Sequence, residues 1–398
     1  MKKVAFLMGA GFNVPPNYGD ISTQEITNLV CASNPLNGAY EIAGLSPGLH
    51  LFNILYNYYD LKMVGTPSIG DVNFETIIYL VEELYAFYSD RMQHNPPGNV
   101  TGVSGAFSTI IGAVENDIHI SAARNSMDER TFLKHVYATL LQPIIEKVGS
   151  LDSNPNMQGM IDFKTKMLDG VFAAWIKRTY TLNYDTWITQ NAGYFDGFEN
   201  GDFDSQRVYT DREVNCHYNL HGSVRWQPHI NDYRIEKKNG VVNVNSYIMS
   251  DIVLINKQPL IPTPIITGYN KSSRLDLKPY IALHYSFLRD IIESDFLVVI
   301  GYGGGDPHIN EILNTYKGKV LVINYFSNWL NPKNSVFDPF DEAIKGALDN
   351  IYPMSRIGWA DELNWDTNLF VKCKDNRISV WWKGLNDDLY NEIPNLIK

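Results

Sequence analysis

The chain has 398 residues, 44% hydrophobic and 19% charged, enough for two domains or for one α/β domain with a large insertion. Its formal net charge of -11 leaves no broad basic surface, so nucleic acid is not expected as a direct partner. Cys31, Cys216 and Cys373 stand alone without a C-x-x-C pair, which excludes a four-cysteine zinc site and fits a reducing cytoplasm.

The aromatic share of 13% fits either a large core or a subunit interface, where Tyr and Trp are favoured. No apolar run approaches the ~20 residues that span a membrane. The opening stretch 1–10 is too short to act as a signal peptide, and it breaks into glycines and Pro15-Pro16.

Residues 4–8 form a continuous apolar run ended by Gly9-Ala10-Gly11, the pattern of a buried parallel strand entering a phosphate-cradling loop. From 21 to about 94 the pattern turns helical. Phe74, Ile77, Ile78, Val81, Leu84 and Tyr85 fall at helical spacing behind a cap at Asp71 or Asn73. The Gly- and Pro-containing stretch 95–105 interrupts it. Helical spacing returns over 107–114 and 130–148, and a loop at 149–158 closes the region.

Residues 160–177 read as a helix leading into a strand at 178–182. A second strand at 214–220 contains His217, read as structural, and ends at His221-Gly222. Residues 223–246 alternate in polarity, with a hairpin-turn signal at Lys238-Asn239-Gly240. An amphipathic helix over 274–293 precedes a buried strand at 296–300, a glycine loop from Gly301 to Asp306, a helix at 307–316 and a strand at 319–324. The tail from about 336 adds a helix and a strand containing Val380-Trp381-Trp382. Such alternation predicts a doubly wound parallel sheet that binds ligands outside the carboxyl ends of its strands.

Gly9-Ala10-Gly11 permits close approach of a pyrophosphate to backbone amides, although a tight strand-to-loop turn uses the same residues. Asn183, in Thr181-Leu182-Asn183-Tyr184-Asp185, is either a turn residue or a ligand contact at a strand end. His221 before a glycine is placed to exchange protons with a substrate hydroxyl near neutral pH. Asp306 suits either a ligand loop or the N-cap of the next helix.

These four segments together resemble the NAD-binding core of the sirtuin superfamily in its zinc-free bacterial branch. Asn13 stands where Ser is common, Gly303 replaces Ser in the second loop, and Pro15-Pro16-Asn17-Tyr18 replaces the Pro-Asp-Phe-Arg of deacetylases. The resemblance implies an α/β, Rossmann-like core from 1–20 and 159–398, interrupted by a mostly helical insertion at 21–158. It implies NAD+ as substrate, hydrolysed to nicotinamide and ADP-ribose, with no metal. Asn183 and His221 take the catalytic roles. Gly9, Ala10, Gly11, Asn13, Asp185, Gly301, Tyr302, Gly303, Asp306 and Asn324 hold the nucleotide, with Asp185 also shaping its loop and Asn324 at the adenosine ribose.

Zinc-free chains of this kind resemble effectors of antiphage defence that deplete NAD+, and those of similar length often work beside a HerA-type ATPase. That context makes a homo-oligomer and such an ATPase the expected partners, in the cytoplasm and away from membranes. An NAD-dependent protein deacylase and a non-catalytic NAD or ADP-ribose sensor are the alternatives.

Overall fold

The computed structural model of the chain describes residues 1–13, 21–33, 42–62, 72–94, 105–152, 154, 157–229, 234–246, 248, 253–255, 258–261, 263–267, 272–324, 371–372, 376–381 and 383–398. Asp71, Cys373, Trp382, the Pro15-Pro16-Asn17-Tyr18 stretch, most of the interruption at 95–105 and the tail between 336 and 370 lie outside these residues.

The chain divides into two compact units. One comprises residues 1–22, 151–223 and 275–398, the other 23–150 and 224–274. The segment 224–274, expected from sequence to lie within the core, thus groups with the helical residues. Among the described residues no helix is long and apolar enough to cross a membrane.

The first unit is α/β. Its strands are β1 (Lys3–Met8), β2 (Ile176–Thr181), the short β3 (Phe198–Glu199) and β4 (Asp202–Phe203), and β5 (Cys216–Asn219). They alternate with α6 (Gln158–Asp162), which runs on into a π-helical stretch Phe163–Val171, and with α7 (Trp187–Ala192) and α8 (Ser205–Thr210). Later come α10 (Tyr280–Glu293), β10 (Phe296–Ile300), α11 (Pro307–Thr315), β11 (Lys319–Ile323), β12 (Val371–Lys372), β13 (Ile378–Trp381) and α12 (Asp387–Leu396). Seven strands form one sheet in the order β12-β13-β11-β10-β1-β2-β5. All neighbours are parallel except β12, which pairs antiparallel with β13.

Parallel strands covered on both faces should be apolar throughout rather than alternating. Every residue of β10, and of β1 after Lys3, is buried. Phe6 packs its ring against Phe163 of the π-helical segment and against Phe172, which follows it. Leu7 is in register with Tyr180 and so shares the opposite face, where Tyr180 meets Phe287 of α10 at 4.8 Å. Helical layers therefore cover both faces, as a doubly wound sheet requires.

Between sheet and α10 lies a buried ionic network. Arg178 Nε donates to Asp290 at 2.5 Å, Tyr180 Oη donates to the same oxygen at 2.6 Å, and Arg289 Nε donates to the other oxygen at 2.7 Å. Removing Arg178 or Asp290 would break the buried pair at a cost of about 3–5 kcal/mol, so the network fixes α10 against β2.

The second unit carries α1 (Thr23–Ala32), α2 (Pro47–Lys62), α3 (Phe74–His94), α4 (Gly105–Arg124) and most of α5 (Glu129–Asp152). It also carries β6 (Trp226–Pro228), β7 (Ile235–Lys237), β8 (Val253–Ile255) and β9 (Gln258–Leu260), and α9 (Ser272–Leu275) ends at its boundary. Asn73 Oδ1 accepts from the amides of Glu75 and Thr76 and thereby caps α3. Ile77, Ile78, Val81, Leu84 and Tyr85 are buried, as their spacing predicts. Glu82 accepts from Arg274 at 2.6 Å and from Tyr137 at 3.0 Å. The β6–β7 pair is antiparallel, but its connection runs through 229–234. The Lys238-Asn239-Gly240 turn follows β7 instead of joining two paired strands.

Candidate functional site

Strand order reverses at β1. From it the chain builds outward through β2 and β5 on one side and through β10, β11 and β13 on the other. Loops leaving the carboxyl ends on the two sides diverge, and such a reversal is where open α/β sheets bind ligands. The two glycine-rich loops leave β1 and β10, the strands flanking that point.

They also touch each other. Gly9 N donates to Ile300 O and Gly11 N to Gly301 O, both at 2.9 Å. A Cβ on Gly9 would lie 2.7 Å from Gly301 O, and one on Gly301 would lie 2.3 Å from Phe12 N. Gly301 is further held at φ +60°. Loop-to-loop contact alone thus requires glycine at these positions, whatever they bind. Gly303 and Gly305 differ, because a Cβ there would meet nothing within 4 Å. Ala10 is exposed and opens the 3-10 turn Ala10–Asn13.

Asn13 and Asp185, far apart in sequence, meet in the structure. Asn13 Nδ2 donates to Asp185 Oδ2 at 3.1 Å, and Asn13 Oδ1 is buried without a partner. Burial pushes the Asp185 carboxyl up to about 6, with the nearby Asp152 charge adding to the effect. Asn183 Nδ2 donates to Gly9 O at 3.2 Å, which leaves its Oδ1 able to accept from a ligand. The loop after β2 is held by residues that no sequence motif marked. Asn219 Nδ2 donates to the carbonyls of Asn183 (3.0 Å) and Asp185 (2.8 Å). Asp152 accepts from Thr186 N and Oγ1 at 2.7 and 2.6 Å.

In the second loop Tyr302 Oη donates to Asn310 Oδ1 at 2.8 Å and accepts from Asp306 N at 3.1 Å. Asn310 Nδ2 donates to Gly304 O at 2.9 Å, closing the loop over α11. Tyr302 is therefore a buried brace for the loop. Asp306 occupies the N-cap position of α11 before Pro307, but its side chain caps none of the helix amides. Asn324 follows β11; its amide donates to Trp381 O and its carbonyl accepts from Gly384 N.

Thr181 on β2 is in register with Asn219 on β5, and Leu220 N donates to Thr181 O. Asn183 and His221 thus leave adjacent strands at the same level. His221 is 2% exposed. Its ring lies 6.5 Å from that of His284 on α10 and 5.7 Å from that of His308 in the first turn of α11. His284 Nδ1 bonds the Tyr280 carbonyl at 3.0 Å. Burial lowers its pKa to about 4, so it is neutral near pH 7. His217 points elsewhere, with its Nδ1 against Thr179 Oγ1 at 2.9 Å, and burial lowers it to about 3. No local spacing joins His221, His284 and His308, so the sequence carried no signal for their meeting.

No protein-family model matches the chain, and no curated protein matches it.

Proposed function

We propose that the chain is an NAD+ glycohydrolase on a sirtuin-like core, releasing nicotinamide and ADP-ribose. One observation carries this reading. The four segments singled out by the resemblance leave the carboxyl ends of β10, β1, β2 and β5, which are consecutive in the sheet and bracket its reversal of order.

In this reading the exposed turn at Ala10, and the amides of the open Gly303–Gly305 stretch ahead of the α11 N-terminus, hold the pyrophosphate. The nicotinamide riboside lies over the ends of β2 and β5. The glycosidic bond breaks with its electron pair going to the nicotinamide nitrogen, leaving an oxocarbenium-like ribose. Asn183, held by its Nδ2 to the Gly9 carbonyl, places the ribose and the attacking water. His221 relays the proton released when the water oxygen bonds to the anomeric carbon. Asn13 Oδ1 accepts from a ligand hydroxyl.

The biological context follows the same resemblance: a homo-oligomeric antiphage effector gated by a HerA-type ATPase or a phage component. An enzyme that destroys a central metabolite must be held inactive until needed, and control by assembly meets that requirement.

Asn183→Ala and His221→Ala test the reading. Each is expected to lower nicotinamide release by about 10²–10⁴-fold, the usual worth of one acid–base or positioning group, while the protein still melts cooperatively. Both variants consuming NAD+ like the parent would overturn it. Release that requires an acyl-peptide would instead identify a deacylase, and tight nucleotide binding without turnover a sensor.

A further inference from the structure

His221, His284 and His308 come from three separate elements of the first unit and present ring nitrogens that all lie within 4.8 Å of one another. The loop after β5, the middle of α10 and the first turn of α11 supply one each. Imidazole is the commonest ligand of zinc-class transition metals. Three protein ligands leaving one position open is the pattern of a non-structural zinc site.

The arrangement around His284 points the same way. Its Nδ1 bonds the Tyr280 carbonyl, while its Nε2 is buried and makes no hydrogen bond. A ring nitrogen tied to a backbone carbonyl, with the opposite nitrogen turned inward, is how metal-ligating histidines are usually oriented. The helix bearing it is fixed by the Arg178–Asp290 pair, so the ligand sits on a rigid element. Zn–N bonds of about 2.0–2.1 Å put tetrahedral ligand atoms ~3.4 Å apart, so the rings need to close by at most ~1.4 Å from their 4.8 Å limit. Side-chain rotation covers that distance. The expectation of no metal followed from the resemblance to a zinc-free branch, and the isolated cysteines excluded only a four-cysteine site; this cluster uses no thiolate.

We propose that His221, His284 and His308 form a binding site for a divalent transition metal of the zinc class, with one coordination position left for water or a ligand. Under the hydrolase reading, on which this consequence rests, a metal held by His221 takes up the imidazole needed for proton relay. Metal binding then switches NAD+ cleavage off.

The test is a Zn2+ titration of the full chain in metal-free buffer against a chromophoric chelator, without NAD+. The parent is expected to take up a single tightly held Zn2+. His284→Ala and His308→Ala should each weaken it by more than the roughly 10–100-fold that losing a mere outer-shell partner costs. His119→Ala, which alters an exposed histidine paired with Glu129, should leave it unchanged. Should an alanine variant fail to fold, His308→Asn replaces it, and a Zn2+-dependent rise in the parent's melting temperature gives a second readout.

No tight uptake by the parent, or equal uptake by parent and both cluster variants, overturns the site. Equal losses in His119→Ala would reassign the binding to surface histidines and overturn it too. If the chain then cleaves NAD+, Zn2+ should suppress release by a larger factor in the parent than in His308→Ala. Failure of that arm alone rejects the switch and leaves the binding result standing.

Discussion

Asp185 shows how the candidate site strains its own residues. Its carboxyl is buried between Asn13 and the Trp187 amide, and burial followed by the Asp152 charge lifts its pKa from 3.8 to about 6. Between those values the folded chain holds a proton that the unfolded chain has released. Stability from this group therefore falls as pH rises through that window, by on the order of 3 kcal/mol. Asp185→Asn removes the penalty while keeping an acceptor for Asn13. We expect the variant to melt higher than the parent at pH 7, with the gap narrowing toward pH 4. A gap that widens on acidification would contradict the assignment. Strongly perturbed carboxylates cluster at functional sites, so the stabilised variant is also expected to handle NAD+ less well.

At the scale of elements, the two glycine loops separate into a packed part and an open part. Gly301→Ala must place a Cβ 2.3 Å from the Phe12 nitrogen at a backbone angle of φ +60°. It is expected to lose roughly 2–5 kcal/mol through strain and overpacking. Gly303→Ala meets no atom within 4 Å and should melt within a degree or two of the parent. Thermal melting of both decides the point, and similar losses in the two would show that the loops do not pack as described. The glycines themselves were legible in the sequence, because an apolar run ending in glycine has few other meanings. Their partner was not: Gly9 and Gly301 are brought together only by the parallel register of β1 with β10. The same holds for Asn219, which looks like any strand-end Asn until its amide is seen to clamp the carbonyls of Asn183 and Asp185. The Lys238-Asn239-Gly240 signal misplaced a hairpin because turn chemistry marks a change of direction without saying which strands pair across it.

For the whole molecule, buried neutral histidines set the response to acid. His217 and His284 are held to about 3 and 4 by burial, and burial also lowers His50 and His135. Below the ordinary value of 6.5 the unfolded chain takes up protons that the fold refuses, so stability present above pH 6.5 is lost as pH falls toward 4. For His217 alone the shift is on the order of 4–5 kcal/mol when fully expressed. His217→Gln should flatten the fall in melting temperature between pH 6.5 and 4, and an unchanged slope would contradict it. The succession of strands and helices made the doubly wound sheet legible from the sequence. The grouping of 224–274 with the helical residues was not, because it depends on contacts between distant segments. The proposed NAD+ cleavage takes place at the reversal of strand order. Its most direct test is a time course of NAD+ with the purified chain, alone and co-purified with a neighbouring ATPase, following nicotinamide and ADP-ribose by chromatography. The account predicts equimolar appearance of the two products in at least one of these states, and their loss in Asn183→Ala and His221→Ala. NAD+ left intact in both states, or consumed equally by the two variants, would contradict it.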